Sequence, residues 1–226
     1  VIGNLRILDH TAGDPHGDLA LELSLMDEAA AQGPRLFFYS WPEPAVVLGY
    51  GQPESDVDLT FCHERGIPVF KRASGGTGVL HSGDLAVTLA LPISMEPAGG
   101  IQRLYDFMKE HLRSALETEG IPVTDPGPAT GRGRARSPLC FLDYSSETLL
   151  LGGKKCVGCS QARKKDAVLV HAILLLNLNA VLTSAIFRIP ESKIVQALAP
   201  LPFASVPIPA FKERIAGLFR KSLQTA

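Results

Sequence analysis

Lys71-Arg-Ala-Ser-Gly-Gly-Thr-Gly-Val-Leu-His81 is bracketed by two short apolar runs, Ile67 to Phe70 and Leu85 to Leu91. The runs read as strands flanking a loop that holds three glycines, a hydroxyl pair, two cations and an imidazole. Gly75, Gly76 and Gly78 tolerate positive φ, and without Cβ they let a ligand rest on backbone N–H groups. Such a loop suits an anion, a carbonyl oxygen or an acyl chain. An ordinary glycine-rich hairpin has the same composition, so the surroundings decide.

The chain has 226 residues, 46% of them hydrophobic, and is read as one domain over residues 1–226. Its 22 basic and 23 acidic residues leave a net charge of −1, so nucleic acid is not an expected partner. The longest apolar run, Val168 to Leu178, is interrupted by His171 and Asn177 and is too short to span a bilayer. No charged-then-apolar signal segment opens the sequence. Four cysteines are too few for a secreted disulfide framework, so a reducing, cytoplasmic setting is the expectation.

Outward from the loop, Leu5 to Asp9, Leu36 to Tyr39 and Ala45 to Leu48 read as strands, with a helix starting at an N-cap Asp18. That helix carries Leu19, Leu23, Met26 and Ala30 on one face. A short helix over Asp56 to Arg65 closes at Gly66, and a long amphipathic one runs from about Leu104 until Gly120 stops it. Thr124 to Pro138, with three prolines and three arginines, is expected to be a mobile surface loop large enough to serve as a lid. Glu147 to Val157 and Ala167 to Leu178 read as long strands, followed by helices near Glu191 to Leu198 and around Phe211 to Phe219. Strands dominate the middle without strict βαβ alternation. The predicted class is therefore α+β, with a mixed, mostly antiparallel sheet flanked by helices.

Several side chains carry possible chemistry. Lys155 lies in a hydrophobic strand among glycines; it is either driven inward to polarise a carbonyl or pair with a phosphate, or it belongs with Lys154 to a hairpin turn. Cys140 follows the arginine loop, where nearby cations favour a reactive thiolate, although a buried apolar thiol is the default fate of a cysteine. Cys156-Val-Gly-Cys159 is formally a C-x-x-C, but without a second ligand pair or a helix N-terminus it predicts neither a metal nor a redox site. His81 and His171 read as core histidines on composition alone.

Four segments occur in order: Phe38 to Gln52, Lys71 to His81, Lys155 to Gln161, and His171. Together they resemble the lipoate–protein ligase and octanoyltransferase superfamily, with the biotin/lipoate A/B ligase fold. The superfamily has two chemistries. One is ATP-dependent activation of lipoate as an acyl-adenylate; the other is octanoyl transfer from acyl carrier protein through a cysteine thioester. Cys140-Phe141 stands fifteen positions before Lys155, a spacing similar to that of the cysteine-bearing octanoyltransferases. His81-Ser-Gly-Asp-Leu85 is similar to their His-Asp-x-Glu-Leu segment, and the sequence up to Ala226 leaves little room for the accessory C-terminal domain of many ligases.

The resemblance implies a function in lipoate biosynthesis: octanoyl (or lipoyl) transfer to a lysine of a lipoyl domain. It implies Cys140 as nucleophile and Lys155 as the cation that activates it and orients the acyl carbonyl. Arg72, Ser74, Gly75, Gly76, Thr77, Gly78, His81, Gly158 and His171 are the implied substrate-binding set. The implied donor is octanoyl-acyl carrier protein; the acceptor is a lipoyl domain, of a glycine-cleavage H protein or a 2-oxoacid dehydrogenase E2. No metal or bound cofactor is implied on this route. Two alternatives stand beside it: an ATP- and Mg²⁺-dependent ligase forming lipoyl-AMP, and a non-catalytic member that binds lipoyl domains.

Overall fold

The computed structural model describes residues 4–11, 13–127 and 137–224. The run Gly131-Arg-Gly-Arg-Ala-Arg136, and with it most of the expected lid, lies outside the described residues. In chain order the elements are β1 (Arg6–Thr11), α1 (Pro15–Gln32), β2 (Arg35–Ser40), β3 (Ala45–Leu48), α2 (Leu59–Glu64), β4 (Val69–Lys71), β5 (Val79–His81) and β6 (Leu85–Pro92). There follow α3 (Gly100–Thr118), β7 (Thr148–Leu151), β8 (Lys154–Arg163), β9 (Ala167–Leu174), α4 (Ala180–Phe187), α5 (Glu191–Ala197) and α6 (Ile208–Gln224). The main sheet runs β1-β2-β6-β9-β8-β7, and a smaller one runs β4-β3-β5. β1 pairs with β2 in parallel and every other neighbour in the main sheet is antiparallel. The architecture is α+β with an antiparallel-rich sheet, as the sequence predicts.

Alternation divides the labour between the two faces of the main sheet. On β6, Leu85, Val87, Leu89 and Leu91 point to one side and pack with Leu104, Leu112 and Leu116 of α3 and Phe211, Ile215 and Phe219 of α6. Each such side chain taken fully out of water contributes about 1.5–3 kcal/mol, so this side holds the sheet together. The opposite face of β6 carries Ala86, Thr88 and Ala90 beneath α1. Small and polar residues there leave room for a site.

The structure redraws several boundaries. α1 begins at Pro15 with Asp14 as its N-cap, accepting from the Gly17 N–H at 2.8 Å. Asp18, the expected cap, lies a turn further on and is buried, where it accepts from Trp41 Nε1 at 2.9 Å and pairs with His10 at 2.7 Å. The inward face of α1 is Asp18, Glu22, Leu25, Met26 and Ala29, with Leu23 exposed. Two carboxylates on the buried stripe rotate it away from the one drawn through Leu19, Leu23 and Ala30. The expected strand Glu147 to Val157 is two strands joined at Gly152 and Gly153, whose φ of 57° and 80° make a tight hairpin turn. β9 stops at Leu174, and the apolar residues beyond Leu178 form α4, capped where Asn179 Oδ1 accepts from the Leu182 N–H. The strands bracketing the glycine loop belong to different sheets, and the loop contains a strand of its own, β5.

One irregularity has consequences for the site. β7 and β8 pair Thr148 with Gly158 and Leu149 with Val157, but then Leu150 with Lys155, so Cys156 is an extra residue opposite nothing. A bulge of this kind shifts the phase of alternation. It puts Lys155 and Gly158, three apart, on the same face.

Replacing Asp14 by Ala removes the N-cap of α1 and is expected to cost about 1 kcal/mol. A thermal melt should show that as a midpoint lowered by about 2–4 °C for a chain of this size.

Candidate active site

The glycine loop is wound around one guanidinium. Arg72 is 8% exposed, and its Nε donates to Ser74 Oγ at 3.0 Å. Its Nη1 donates to the Val47 carbonyl, and its Nη2 to the carbonyls of Gly75 (2.8 Å) and Thr77 (3.0 Å). Burial lowers its pKa from the ordinary arginine value, opposed by the nearby Cys140 and Glu22. Arg72 is therefore the template of the loop. The three glycines serve different needs. Gly76 has φ of 95°, and a Cβ there would stand 2.8 Å from Arg72 Nη2. A Cβ on Gly78 would strike Phe187 at 2.7 Å, whereas Gly75 borders open space. Ser74 Oγ meets Ser160 Oγ of β8 at 3.0 Å, tying the loop to the main sheet.

Cys140 begins a 3₁₀ turn, Cys140–Leu142, and its thiol is free and half-buried. The Cys140 N–H donates to the Gly78 carbonyl at 2.8 Å, while the Gly78 N–H donates to the Pro138 carbonyl at 2.9 Å. The glycine loop and the cysteine turn thus form a small parallel bridge. Lys155, 2% exposed, reaches the same turn from β8. Its Nζ donates to the carbonyls of Cys140 at 3.0 Å and Asp143 at 2.9 Å, and lies 5.2 Å from the Phe141 ring centroid. The bulge sets Gly158 against this side chain, where a Cβ would come within 3.0 Å of Lys155 Cε. The structure thus brings together Cys140, Lys155, Gly158 and the loop. Gly158 makes room for the lysine.

The two histidines sit elsewhere, His171 on β9 of the main sheet and His81 on β5 of the smaller one. His171 Nδ1 lies 2.7 Å from Glu22 Oε1 and 2.9 Å from Thr88 Oγ1. Glu22 also accepts from the hydroxyls of Tyr39 and Thr88. Burial pushes the Glu22 pKa up, but the charge and hydrogen bonds of His171, with those hydroxyls, bring it below the ordinary value. A carboxylate held ionised is an acceptor only, so Nδ1 of His171 carries the proton. His81 is buried 4.8 Å from the Trp41 ring centroid. Burial first, then the charges of His171 and Arg72, lower its pKa to about 3. It is neutral at any pH near 7.

A cavity of about 190 Å³ opens between α1 and the loop, lined by Leu19, Glu22, Met26, Phe70, Arg72 and Leu169 among others. Its polar groups are His16, Glu22, Lys71, Arg72 and Ser74, and the rest of the lining is apolar. Glu22, Thr88, Tyr39 and Ser160 join the site without having been expected from the sequence. Glu22 does carry a sequence signal: an acidic residue between Leu19 and Met26, on the inward stripe of an otherwise apolar helix.

A family profile described as the lipoyl protein ligase A/B catalytic domain matches residues 14–214. The chain belongs to this family. An octanoyltransferase LipM from Moorella thermoacetica is 31% identical over 201 residues, covering 85% of this chain and 72% of that protein. The LipM of Geobacillus kaustophilus is 28% identical over 203 residues, covering 85% and 73%. Among solved structures, a lipoate-protein ligase A bound with ATP superposes with a TM-score of 0.78 at 23% identity, over 99% of this chain and 86% of that one. A biotin protein ligase from Leishmania major superposes at 0.53 and 10% identity, over 98% and 75%. These two likenesses show the shared fold.

The neutral state of His81 carries a pH signature. Between pH 6.5 and about 3 the unfolded chain binds a proton there that the folded chain refuses. The His81 contribution to folding stability therefore falls on acidification through this window, with a slope approaching about 1.4 kcal/mol per pH unit. Asp84, whose pKa burial raises to about 7, contributes with the opposite sign. That contribution cancels when His81→Gln is compared with the parent chain. Denaturant titrations at pH 7 and 5 should show that acidification changes stability less favourably in the parent than in the variant; an identical change in both would refute the assignment.

Proposed function

We propose that the chain transfers an octanoyl group from acyl carrier protein to a lysine of a lipoyl domain, through a thioester on Cys140. The observation that carries this is the grip of Lys155 on the Cys140 turn, which pins the backbone of a half-exposed cysteine between the lysine and the glycine loop. Relatives named octanoyltransferase, 31% and 28% identical over most of the chain, support the same reading.

An ammonium has three N–H donors. Lys155 spends two on carbonyls of the turn, and the third serves the acyl carbonyl. The Cys140 thiolate attacks the carbonyl carbon of the donor thioester, the bond to the carrier sulfur breaks, and the carrier thiolate leaves to take up a proton. Gly78 has already given its N–H to Pro138, so the tetrahedral oxyanion is held by N–H groups within Gly75 to Thr77, with Lys155. The acceptor amine then attacks the Cys140 thioester. An amide forms, the C–S bond breaks, and the amine's proton leaves through the regenerated thiolate or water. The acyl chain occupies the cavity beneath α1, against Leu19, Met26 and Leu169. This route consumes no ATP. Its acceptor is a glycine-cleavage H protein or a 2-oxoacid dehydrogenase E2, and its setting is cytoplasmic.

Incubation with octanoyl-acyl carrier protein without ATP should give an octanoyl adduct by intact mass that hydroxylamine removes and Cys140→Ala abolishes. No adduct, together with ATP-dependent transfer of free lipoate or octanoate, would favour the ligase chemistry. Lys155→Met should slow adduct formation by about 10²–10³-fold, the loss typical of one oxyanion donor. Gly158→Ala displaces the lysine without removing it and should cost roughly tenfold in rate, with its melting midpoint close to that of the parent chain.

A further inference from the structure

Gln52 is nearly buried at 5% exposure, yet it lies in the turn after β3, far along the chain from Cys140. Its carboxamide makes three contacts. Nε2 donates to the Pro138 carbonyl at 2.9 Å and to Asp56 Oδ2 at 2.9 Å, and Oε1 accepts from the Gly49 N–H at 3.3 Å. The orientation is settled by these partners, because a flipped amide would set its oxygen against two acceptors.

Each partner belongs to a different part of the site. Gly49 packs so closely on the glycine loop that a Cβ there would lie 2.0 Å from the Gly76 carbonyl oxygen. The neighbouring Tyr50 N–H donates to the Ser74 carbonyl at 3.1 Å. Pro138 stands two residues before Cys140, and its carbonyl also accepts from Gly78. Asp56 takes the second N–H and so holds the amide in place. One side chain therefore ties the end of β3, and through it the glycine loop, to the backbone entering the cysteine turn. On the other side of the turn the tethers are different ones, Lys155 on the carbonyls of Cys140 and Asp143.

We propose that Gln52 is a positioning residue for Cys140: by gripping the Pro138 carbonyl it fixes the approach of the nucleophile's backbone to the N–H groups of the glycine loop. The kinetic part of this rests on the reading of Cys140 as nucleophile. A group held within hydrogen-bond distance loses about 10²-fold in rate for a misplacement near 1 Å. Loss of the Gln52 anchor acts through such a shift, while donor binding, which uses other surfaces, is little changed.

The test uses Q52E, Q52M and the double variant Q52E/D56N in the full chain. Q52E sets an oxygen against both the Pro138 carbonyl and Asp56; adding D56N repairs the Asp56 contact only. The readouts are kcat and KM for octanoyl transfer, and hydrogen exchange at the Gly78 and Cys140 amides, with the β9 amides as control. The expected result is a kcat lower by about 10–100-fold in all three variants with KM within about twofold. Exchange should be at least about tenfold faster at Gly78 and Cys140 and unchanged in β9. Recovery of kcat in Q52E/D56N would overturn the proposal, since the role would then be the structural link to Asp56. Unchanged kcat, unchanged exchange at Gly78 and Cys140, or acceleration throughout β9 would overturn it too. A parent chain that forms no hydroxylamine-labile adduct overturns the nucleophile reading and with it the kinetic role. The exchange result then decides separately whether Gln52 holds the segment.

Discussion

A buried ammonium is the constraint on which this site depends. Moving such a charge out of water costs several kcal/mol unless it is well partnered, and Lys155 is 2% exposed. Its partners are two backbone carbonyls at the ends of a tight turn and the face of Phe141. Much of the local structure follows from supplying them. The turn must be a 3₁₀ turn so that the Cys140 and Asp143 carbonyls converge. The bulge at Cys156 must rephase β8 so that Lys155 looks toward that turn, and position 158 must lack a Cβ where the lysine passes. The cost of burying the cation is thus offset by the geometry that presents the cysteine.

The rest of the chain divides between stabilising and accommodating. The aliphatic face of the main sheet is filled by α3 and α6, whose Leu, Phe and Ile side chains pack against it, with His111 stacked on Phe219 at the helix–helix contact. The opposite face keeps Thr88, His171 and Ser160 in line across β6, β9 and β8, with α1 laid over β6 and β9. Around these polar positions the same face packs an apolar core of its own, with Leu25, Met26, Phe37, Leu169 and Ile173. Its buried polar groups are satisfied by one another: Glu22 gathers His171, Thr88 and Tyr39, and Arg72 gathers the carbonyls of the loop. A single deletion in either cluster strands several partners in low dielectric, where an unpaired group is most costly.

Local rules account for much of this architecture. The Lys71 to His81 loop, the amphipathic α3 stopped by Gly120 and the strand alternation of β6 are all legible in the amino-acid sequence, and the order of the motifs pairs Cys140 with Lys155. The features that sequence does not reveal depend on contacts distant along the chain. Asp18 has the composition of a helix cap, but a hydrogen bond from Trp41, twenty-three residues away, draws it inward, and Asp14 does the capping. Gly152 and Gly153 split what apolar content reads as one strand, although the Gly-Gly pair is itself the local signal of a two-residue hairpin turn. The bulge at Cys156 has no local signature, being a matter of register with β7. The sequence does not reveal that Arg72 templates the loop, since three of its acceptors, Ser74, Gly75 and Thr77, converge only when the loop closes around it, and the fourth is the Val47 carbonyl of β3.

The proposed role of Cys140 as nucleophile is also supported by contrast among the four cysteines. Cys62, Cys156 and Cys159 are all buried, and burial raises the pKa of each, to about 12 for the latter two. Their thiolates are suppressed, and no substrate reaches them from solvent without opening the core. Cys156 further directs its Sγ at the Leu149 carbonyl, 3.4 Å away, as a weak donor satisfied within the sheet. The C-x-x-C spacing of Cys156 and Cys159 is therefore a coincidence of two core positions on a bulged strand. Cys140 differs in each respect that matters for reactivity: it is half exposed, it lies beside a lysine and close to an arginine, and its backbone is pinned at both its N–H and its carbonyl. Access and nearby positive charge, rather than the presence of a thiol, single it out.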